Sequence, residues 1–387
     1  MSDHAILAPS SAPVWGYCSG SIIAAQAAPS PETEQTRNGT AAHWLAAVCL
    51  MNWKTGGEHN PRAFIGTVCP ENGVVVDALI AEGAEVYVTD VIGTLGPIQG
   101  GREALVVEFR VYMPAIHAEN WGTLDASARL PGLIYIWDYK HGHAKVDAFE
   151  NLQLVDYLEG LREYHGINGH EDQHTRVIAR VVQPFAYDPQ GPVSEWAFML
   201  CDIRAFVNQL HAKAHEALTA PTLTSGKHCR YCPARGRCPA LRAAVYNLID
   251  LVDSPLAFDS MAGSDLATER EILLRGQTML KARLEAIEDD LTHRVKSGDA
   301  SCGLALDSVP GRRKWTVDPS QAIAAVGLLG IDISKTDCDT PTQARAKVPA
   351  EMRPHYDAAV KAITKRSAAL KLVDATDTLA ARVFRAK

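Results

Sequence analysis

Three consecutive segments in the middle of the chain are rich in β-branched and aromatic residues, and they constrain the fold more than any other feature. Segments of this composition, separated by short polar stretches, are typical of neighbouring strands. Helical spacing and two further strand-like segments follow them. The predicted elements are strands over 104–111, 122–129, 133–140, 176–183 and 195–200, and helices over 148–164 and 203–218. We therefore expect an α/β fold in which helices flank a mixed sheet.

The segment ahead of this sheet predicts three helices. The first begins near Ser10 and carries Cys18. Thr40 is expected to cap the second, which places His43 in its first turn. The third is apolar and opens at Asn72. A polar loop is predicted over 29–38, followed by the second and third helices over 41–51 and 72–92.

The last third of the chain predicts an accessory region that is mainly helical. A linker over 254–264 leads to a long charged helix over 266–295. Residues 302–317 are expected to form a hairpin that turns at Pro310 and Gly311, with short alanine-rich helices beyond it. The chain is therefore predicted to contain two domains, over residues 1–250 and 251–387.

Charge and hydropathy narrow the class of protein. The chain contains no apolar run of about 18 residues, and its N-terminus lacks the pattern of a secretory signal, so we expect a cytoplasmic protein without a membrane span. The net charge of −7 does not exclude a nucleic-acid partner, because such a partner needs only a local positive surface. Residues 226–248 offer one, since they contain five basic side chains and no acidic one.

Two acids and a lysine stand near the ends of two neighbouring predicted strands. Asp125 lies in the second strand, and Asp138 and Lys140 end the third. Adjacent strand ends bring both carboxylates within reach of one hard divalent cation, Mg²⁺ or Mn²⁺. Lys140 points to the same face as Asp138, because side chains alternate along a strand. Its ammonium group can hold an attacking water or offset charge on a phosphate. An isolated Asp-x-Lys is common by chance, so the prediction depends on the second acid.

These residues resemble the PD-(D/E)xK nuclease superfamily, in particular its RecB-like and Cas4-like branch. Residues 122–125 and 138–140, and then Gln153 and Tyr157 on a helix, follow the order of its motifs. The resemblance extends to a phage and prophage family called DUF2800. It implies a restriction-endonuclease-like nuclease core over residues 1–250. One departure is Asn38, where close relatives often carry an acid, so a second strong metal site is not expected.

The resemblance also implies roles for individual residues. The implied metal ligands are His43, Glu108, Asp125, Asp138 and the backbone carbonyl of Tyr139. The implied catalytic residues are Asp125, Asp138, Lys140, Gln153 and Tyr157, of which the last two position DNA or the active-site loop. Three of these residues have a structural alternative when they are considered alone. His43 could be a surface or capping residue at a helix start, Glu108 could face solvent on an edge strand, and Tyr157 could belong to the hydrophobic core.

The cysteines form a second signal. They number nine in a chain without an export signal, so a disulfide scaffold is not expected. Cys229, Cys232 and Cys238 are spaced closely enough to bind a metal, but a fourth ligand is missing nearby. One alternative is structural Zn²⁺, completed by His228 or Cys18. The other follows from the resemblance, which implies a 4Fe–4S cluster with Cys18 as its remote ligand.

The resulting functional hypothesis is a metal-dependent DNA nuclease. The resemblance implies an exonuclease that acts on single- or double-stranded DNA in phage recombination, repair or replication, with a phage recombinase or single-strand-binding protein as partner. Two alternatives stay open: a non-catalytic DNA-binding module that keeps the iron–sulfur or zinc site, and a nuclease directed at RNA. Three arginines of the basic stretch are candidates for DNA contacts, namely Arg230, Arg235 and Arg237.

Overall fold

A mixed five-stranded sheet organises the first 283 residues of the computed structural model. The first three strands pair antiparallel, the fourth pairs parallel with the third, and the fifth pairs antiparallel with the fourth. The order of the strands across the sheet is the same as their order along the chain. The strands are β1 (Leu105–Tyr112), β2 (Trp121–Leu130), β3 (Leu133–Tyr139), β4 (Arg176–Val182) and β5 (Val193–Met199). The predicted mixed sheet is confirmed, and each strand begins and ends within two residues of its predicted bounds.

The structure describes residues 5–28, 33–167, 169–252, 263–299, 301–333 and 339–374. The chain divides into two compact units, Met1–Arg283 and Leu284–Lys387. The predicted domain boundary at residue 250 falls inside a helix, Pro239–Val252, and the predicted linker over 254–264 lies almost entirely outside the described residues. Among the described helices, none is both long and apolar enough to cross a bilayer.

Helices cover both faces of the sheet. One face packs against residues of the third and fourth helices, and the other against the sixth and seventh helices and the N-terminal segment. The helices of this part of the chain are α1 (Ala12–Trp15), α2 (Ser21–Gln26), α3 (Glu34–Thr55), α4 (Ala78–Leu95), α5 (Gly101–Ala104), α6 (Leu152–Tyr164), α7 (Arg204–Thr219), α8 (Pro239–Val252) and α9 (Gly263–Lys296). The crossover through α6 allows β3 and β4 to run parallel.

The alternation of side chains along β3 divides the interior into two cores. Ile134 and Ile136 pack with α6 and α7, whereas Tyr135 and Trp137 pack with α3 and α4. Because both faces are covered, β3 reads as a nearly continuous apolar run. Asp138 follows Trp137 on the α6 side and is the first charged residue of the strand.

The predicted starts of the second and third helices are wrong. α3 begins at Glu34, because Thr33 and Thr36 form a reciprocal cap with hydrogen bonds of 2.9 and 3.1 Å. Thr40 lies inside the helix, so His43 is in its third turn rather than its first. α4 begins after Asp77, whose carboxylate accepts the Ile80 N–H at 2.8 Å. Asn72 instead accepts the Val74 N–H within a turn.

The first helix is also shorter than predicted. α1 ends at Trp15, and Cys18 follows it in a turn before α2. Cys18 is held in place even though it lies outside the helix, because the neighbouring Ser19 and Gly20 form hydrogen bonds with Thr222, just beyond α7. The N-terminal segment is thereby fixed against residues that lie about two hundred positions later.

The second unit combines short helices with two long strands. β6 (Leu304–Trp315) pairs with β7 (Thr364–Asp374) in an antiparallel ladder, and the remaining helices are α10 (Pro319–Gly327), α11 (Pro341–Lys347) and α12 (Arg353–Ala359). The predicted hairpin at Pro310 and Gly311 is therefore wrong, because β6 runs through both residues. The chain passes Pro310 in an irregularity of the ladder, a place where a residue without an N–H is tolerated.

Asp156 is a buried acid within α6. Asn120 donates a hydrogen bond of 2.7 Å to its Oδ1, while Asp156 Oδ2 and Asn120 Oδ1 are without partners among the described atoms. Burial, with a contribution from Glu159, raises the pKa of Asp156 well above its usual value. A protonated Asp156 matches Asn120 better than a carboxylate does, because an acid can return a hydrogen bond to the amide oxygen.

We predict that Asp156→Asn stabilises the protein at neutral pH by roughly 1–3 kcal/mol, because an amide avoids the free-energy cost of protonating the acid or burying its charge and keeps a donor for Asn120. The folded-state pKa of Asp156 lies above its unfolded-state value of about 4. Its contribution to stability is therefore complete below pH 4 and is lost as the pH rises toward the folded-state pKa. Urea unfolding at pH 5 and pH 8 checks this. A stability difference between variant and wild type that does not grow with pH would contradict the prediction.

Candidate functional site

The predicted acids lie where β2 and β3 separate. Ala126 and Trp137 form the last pair of the ladder, and Asp125 and Asp138 come directly beyond it. The carboxylate of Asp125 accepts the backbone N–H of Tyr139 at 2.6 Å. The Asp125 side chain thus takes the place of the backbone carbonyl of β2 that would accept the Tyr139 N–H if the two strands stayed paired. Asp138 lies near the end of β3 as predicted, whereas Asp125 lies in the middle of β2, which continues alongside β1 after its pairing with β3 has stopped.

β1 carries a backbone irregularity opposite Asp125. Glu108 has a φ of 47°, a conformation that costs a non-glycine residue about 1–3 kcal/mol. Val107 packs in the core formed with α3 and α4, yet Phe109 packs in the opposite core. In a regular strand these two residues would face the same side. The irregularity brings the Glu108 carboxylate beside Asp125.

His43, Glu108 and Asp125 form the first group of ligand atoms. One atom of each lies within 4.8 Å of the other two, and His43 Nδ1 is 3.2 Å from Asp125 Oδ1. Burial alone would raise the pKa of Asp125, but His43 and Lys140 hold it below its usual value. Loss of water around Glu108, together with the charge of Asp125, raises the pKa of Glu108 to about 7. Two carboxylates and an imidazole at this spacing suit a divalent cation.

Asp138, Lys140 and Gln153 form the second group. Lys140 Nζ lies 3.0 Å from Asp138 Oδ1 and donates to Gln153 Oε1 at 3.0 Å, while Gln153 Nε2 donates to Asp138 Oδ1 at 2.8 Å. Burial raises the pKa of Asp138, although Lys140 opposes the effect. Asp138 Oδ2 is buried and has no partner among the described atoms. A buried carboxylate oxygen normally has a hydrogen-bond partner. A cation bound beside the two acids would give Asp138 Oδ2 the partner that it lacks.

Tyr157 supports the site without belonging to either group. Its buried hydroxyl donates to the Thr123 carbonyl at 2.7 Å, two residues before Asp125. Gly122 allows this approach, since a Cβ there would lie 2.9 Å from the hydroxyl. Tyr157 therefore fixes the course of β2 beside the acid. The contribution of the Tyr139 carbonyl to metal binding stays a prediction, since the contact observed at Tyr139 uses its N–H.

Sequence reasoning missed Glu71. This residue lines the same cavity as His43 and Glu108, and its charge contributes to the raised pKa of Glu108. It lies in the loop between α3 and α4, where neither spacing nor a motif distinguishes it from other surface acids. Only the folded chain brings it toward the site.

Two cavities flank the acids. The first, of about 870 Å³, runs along α3 and reaches His43, Glu108 and His141. The second, of about 1400 Å³, begins at Lys140 and Gln153 and extends between the N-terminal segment and the cysteine-rich loops. Both exceed what a single cation needs. A large substrate can therefore reach His43 and Glu108 from one side and Lys140 and Gln153 from the other.

The structure brings the four predicted cysteine ligands together. Cys18, Cys229, Cys232 and Cys238 are all buried and line one small cavity. The Thr224 and Gly226 N–H groups donate to the sulfurs of Cys18 and Cys229, both at 3.4 Å. Burial alone would lower the pKa of the adjacent His228, but hydrogen bonds to Cys18 and Cys229 raise it to about 10. Backbone donors and a cationic imidazole both favour thiolates.

The three candidate DNA-binding arginines occupy different settings. Arg230 and Arg237 are exposed, and the Arg230 guanidinium lies 5.6 Å from the centre of the Tyr231 ring. Arg235 is partly buried and donates to the Arg230 carbonyl at 2.8 Å, so it helps to hold the loop. Contacts of all three with DNA stay a prediction.

A comparison with known protein families gives one assignment. The family model DUF2800, whose description is "Protein of unknown function (DUF2800)", matches residues 4–379. This match covers nearly the whole chain, so the protein belongs to the DUF2800 family, and the resemblance to that family is confirmed.

We predict that the protein binds Mn²⁺ and that Asp125→Asn weakens this binding by roughly tenfold or more, because an amide replaces a charged ligand. Titration calorimetry, or electron paramagnetic resonance of free Mn²⁺, measures the affinity. Asp265→Asn, an exposed substitution at the start of α9, is the matched control and should bind as wild type does. Equal Mn²⁺ affinity in Asp125→Asn and in the control would rule out this site.

Proposed function

We propose that the protein is a divalent-metal-dependent DNA nuclease with a PD-(D/E)xK core, which hydrolyses phosphodiester bonds. The observation that carries the proposal is the meeting of Asp125, Asp138 and Lys140 at the point where β2 and β3 separate. The order of elements also supports it, because an antiparallel meander, a helical crossover and a parallel strand follow the two preceding helices. The resemblance implies an early helix with a histidine, then the acid-bearing strands, and then a helix with a glutamine and a tyrosine.

The donor set fits Mg²⁺ or Mn²⁺. Asp125 and Glu108 offer carboxylate oxygens and His43 offers a nitrogen, and these ligand atoms lie within 4.8 Å of one another. Asp138 is outside that group, but its Oδ2 is a buried oxygen without a partner among the described atoms. When bound, such a cation lowers the pKa of a bound water and polarises a phosphoryl oxygen. The strained backbone of Glu108 is consistent with this role, since residues in such conformations cluster at functional sites and ligand-binding positions.

Lys140 has the catalytic role in this proposal. Asp138 and Gln153 hold its ammonium group between them, so the lysine is oriented before substrate arrives. From that position it can orient an attacking water or stabilise charge that develops on the phosphate. Gln153 is a positioning residue that fixes Lys140 and Asp138 to α6. Tyr157 is a positioning residue as well, since it fixes β2.

A binding module without catalysis is the main rival, and the electrostatics of the site argue against it. Asp125 and Glu108 lie together, and Asp138 and Glu71 are close enough for their charges to interact with this pair. These charges repel a phosphate backbone unless a cation is bound. A protein that only binds DNA has no use for this arrangement. If Lys140 and Asp138 formed only a structural ion pair, the clustering of His43, Glu108 and Asp125 would still have no explanation.

We favour a 4Fe–4S cluster over zinc at the cysteine group, because the family resemblance implies a cluster with Cys18 as its remote ligand. The four buried cysteines line one small cavity, and four thiolates are the ligand set of such a cluster. They are also a ligand set of structural zinc, which stays the alternative. When bound, a cluster would join the N-terminal turn at Cys18 to the loops that close the nuclease core.

Exonuclease action, and a place in phage DNA recombination, repair or replication beside a recombinase or single-strand-binding protein, extend this proposal. They rest on the family resemblance alone. Cleavage of DNA and of RNA with the same sequence distinguishes the two substrates.

We predict that the wild-type protein cleaves end-labelled DNA in the presence of Mn²⁺ or Mg²⁺, and that Lys140→Gln lowers the cleavage rate by about 100-fold or more, because an amide cannot replace the ammonium charge. Linear and circular single strands, duplexes and RNA of the same sequence separate the substrate classes and distinguish exonuclease from endonuclease action. Lys213→Gln, in an ion pair on α7, is the matched control. Metal-dependent cleavage that survives Lys140→Gln unchanged would mean that a contaminant or another site is responsible.

We also predict that protein purified without oxygen is brown and contains iron and acid-labile sulfide. Cys18→Ser should lose the colour and the iron as Cys232→Ser does, and both should unfold at a lower temperature, because the cluster ties distant segments together. Cys201→Ser is the matched control, since Cys201 lies outside the cavity with its thiol toward Asp202. A colourless protein with about one zinc per chain would contradict the cluster and support the zinc alternative.

A further inference from the structure

The second cavity is a cleft that the metal centre does not account for. It begins at Lys140 and Gln153, passes under the N-terminal segment and ends at Arg230, Tyr231 and Pro233. Its volume of about 1400 Å³ exceeds the roughly 300–1,000 Å³ of ordinary small-molecule pockets. Because the cleft is continuous with the catalytic lysine, a polymer bound at the site would also occupy it.

Two tyrosines in the wall of the cleft keep about half of their surface exposed. Tyr17 is 45% exposed and Tyr231 is 48% exposed. Each ring is supported by one partner: His228 stacks on Tyr17 at 5.8 Å with an interplanar angle of 12°, and Arg230 lies over Tyr231. The rings are therefore oriented in advance, yet they are not part of a hydrophobic core.

The cysteine group fixes the backbone beside both rings. Tyr17 directly precedes Cys18, and Tyr231 directly precedes Cys232. Tyr231 also donates its hydroxyl to the Lys145 carbonyl at 3.4 Å, across the cleft wall. Aromatic side chains on anchored loops lose little conformational entropy when a ligand stacks on them.

Charge does not explain what the cleft would bind. Lys145 pairs with Asp188 at 2.6 Å, and Lys140 pairs with Asp138. Asp147 and Glu150 add negative charge to the lining. Because its cations are largely balanced, the cleft offers a ligand flat aromatic faces more than a positive field.

We propose that this cleft binds a stretch of a nucleic-acid strand with unpaired bases, which stack on Tyr17 and Tyr231 while the adjoining phosphate lies at Lys140. The inference rests on the proposed nuclease function and adds a base-stacking subsite to it. Unpaired bases are required, because in a duplex each base face is already covered by its neighbours. Stacking tolerates any sequence, since every base has a π-face.

Fluorescence of 2-aminopurine in a short single-stranded oligonucleotide tests the proposal, because stacking quenches it. The full-length protein is titrated in buffer with Ca²⁺ in place of Mg²⁺ or Mn²⁺, so that a hard cation offsets the charge of the acids. Anisotropy of a labelled strand gives the affinity at several salt concentrations. Tyr17→Leu and Tyr231→Leu should each weaken binding by about tenfold and reduce the quenching. The dependence of affinity on salt should stay unchanged, since no phosphate contact is removed.

Three controls separate stacking from structural damage. Tyr17→Phe and Tyr231→Phe keep the ring and should bind as wild type does. Tyr246→Leu removes a 59% exposed tyrosine of α8 outside the cleft and should have no effect. The visible absorption and unfolding temperature of each variant show whether the cysteine group is intact.

The outcomes for the two proposals are distinct. If wild type cleaves DNA but the leucine variants bind and quench as it does, the cleft proposal is wrong and the nuclease proposal stands. If binding and quenching require the tyrosines but no metal-dependent cleavage occurs, the nuclease proposal is wrong and the cleft stands. A blunt duplex that binds as tightly as a single strand, with the same sensitivity to both leucine variants, would also overturn the cleft.

Discussion

The hydrogen bond from the Tyr139 amide to the Asp125 carboxylate connects the sheet to the site. It forms directly beyond the last residue pair of β2 and β3, so it replaces the next backbone hydrogen bond between these strands and orients an acid at the same time. His43 approaches the other oxygen of the same carboxylate from α3. On the far side of β3, Gln153 holds Asp138 and Lys140 from α6. Side chains from helices on both faces of the sheet thus meet at the end of β3. Asp125 is contacted from α3 on one face, and Asp138 is contacted from α6 on the other.

Much of this arrangement could be predicted because it follows from local rules. β-branched and aromatic runs specify the strands, and alternation along β3 places Lys140 beside Asp138. What could not be predicted depends on contacts that sequence patterns do not encode. Thr33 caps α3 with a threonine partner instead of the usual glutamate or glutamine, so the helix starts earlier than its apolar spacing indicates. The backbone conformation of Glu108 has no signature in its residue type.

Non-local pairing explains the other differences. β6 looks like a hairpin in isolation, because Pro310 and Gly311 are typical turn residues, but its partner β7 lies about fifty residues further on. Glu71 joins the site from a loop in the same way. The cysteines illustrate the opposite case. The spacing of Cys229, Cys232 and Cys238 indicates that these three belong together, and the family resemblance implies Cys18 as the fourth. In the fold, Cys18 lines the same cavity as the other three.

The irregularity at Glu108 has a consequence for how reliably β1 finds its partner. Leu105 and Val107 belong to the core of α3 and α4, whereas Phe109 and Val111 belong to the opposite core. In an ordinary strand, a slip of one residue exposes the apolar face, but a slip of two restores it. Here a slip of two would move Val107 into the place of Phe109 and into the wrong core. Because the two halves of β1 face opposite sides, this strand has a single pairing register that buries both halves.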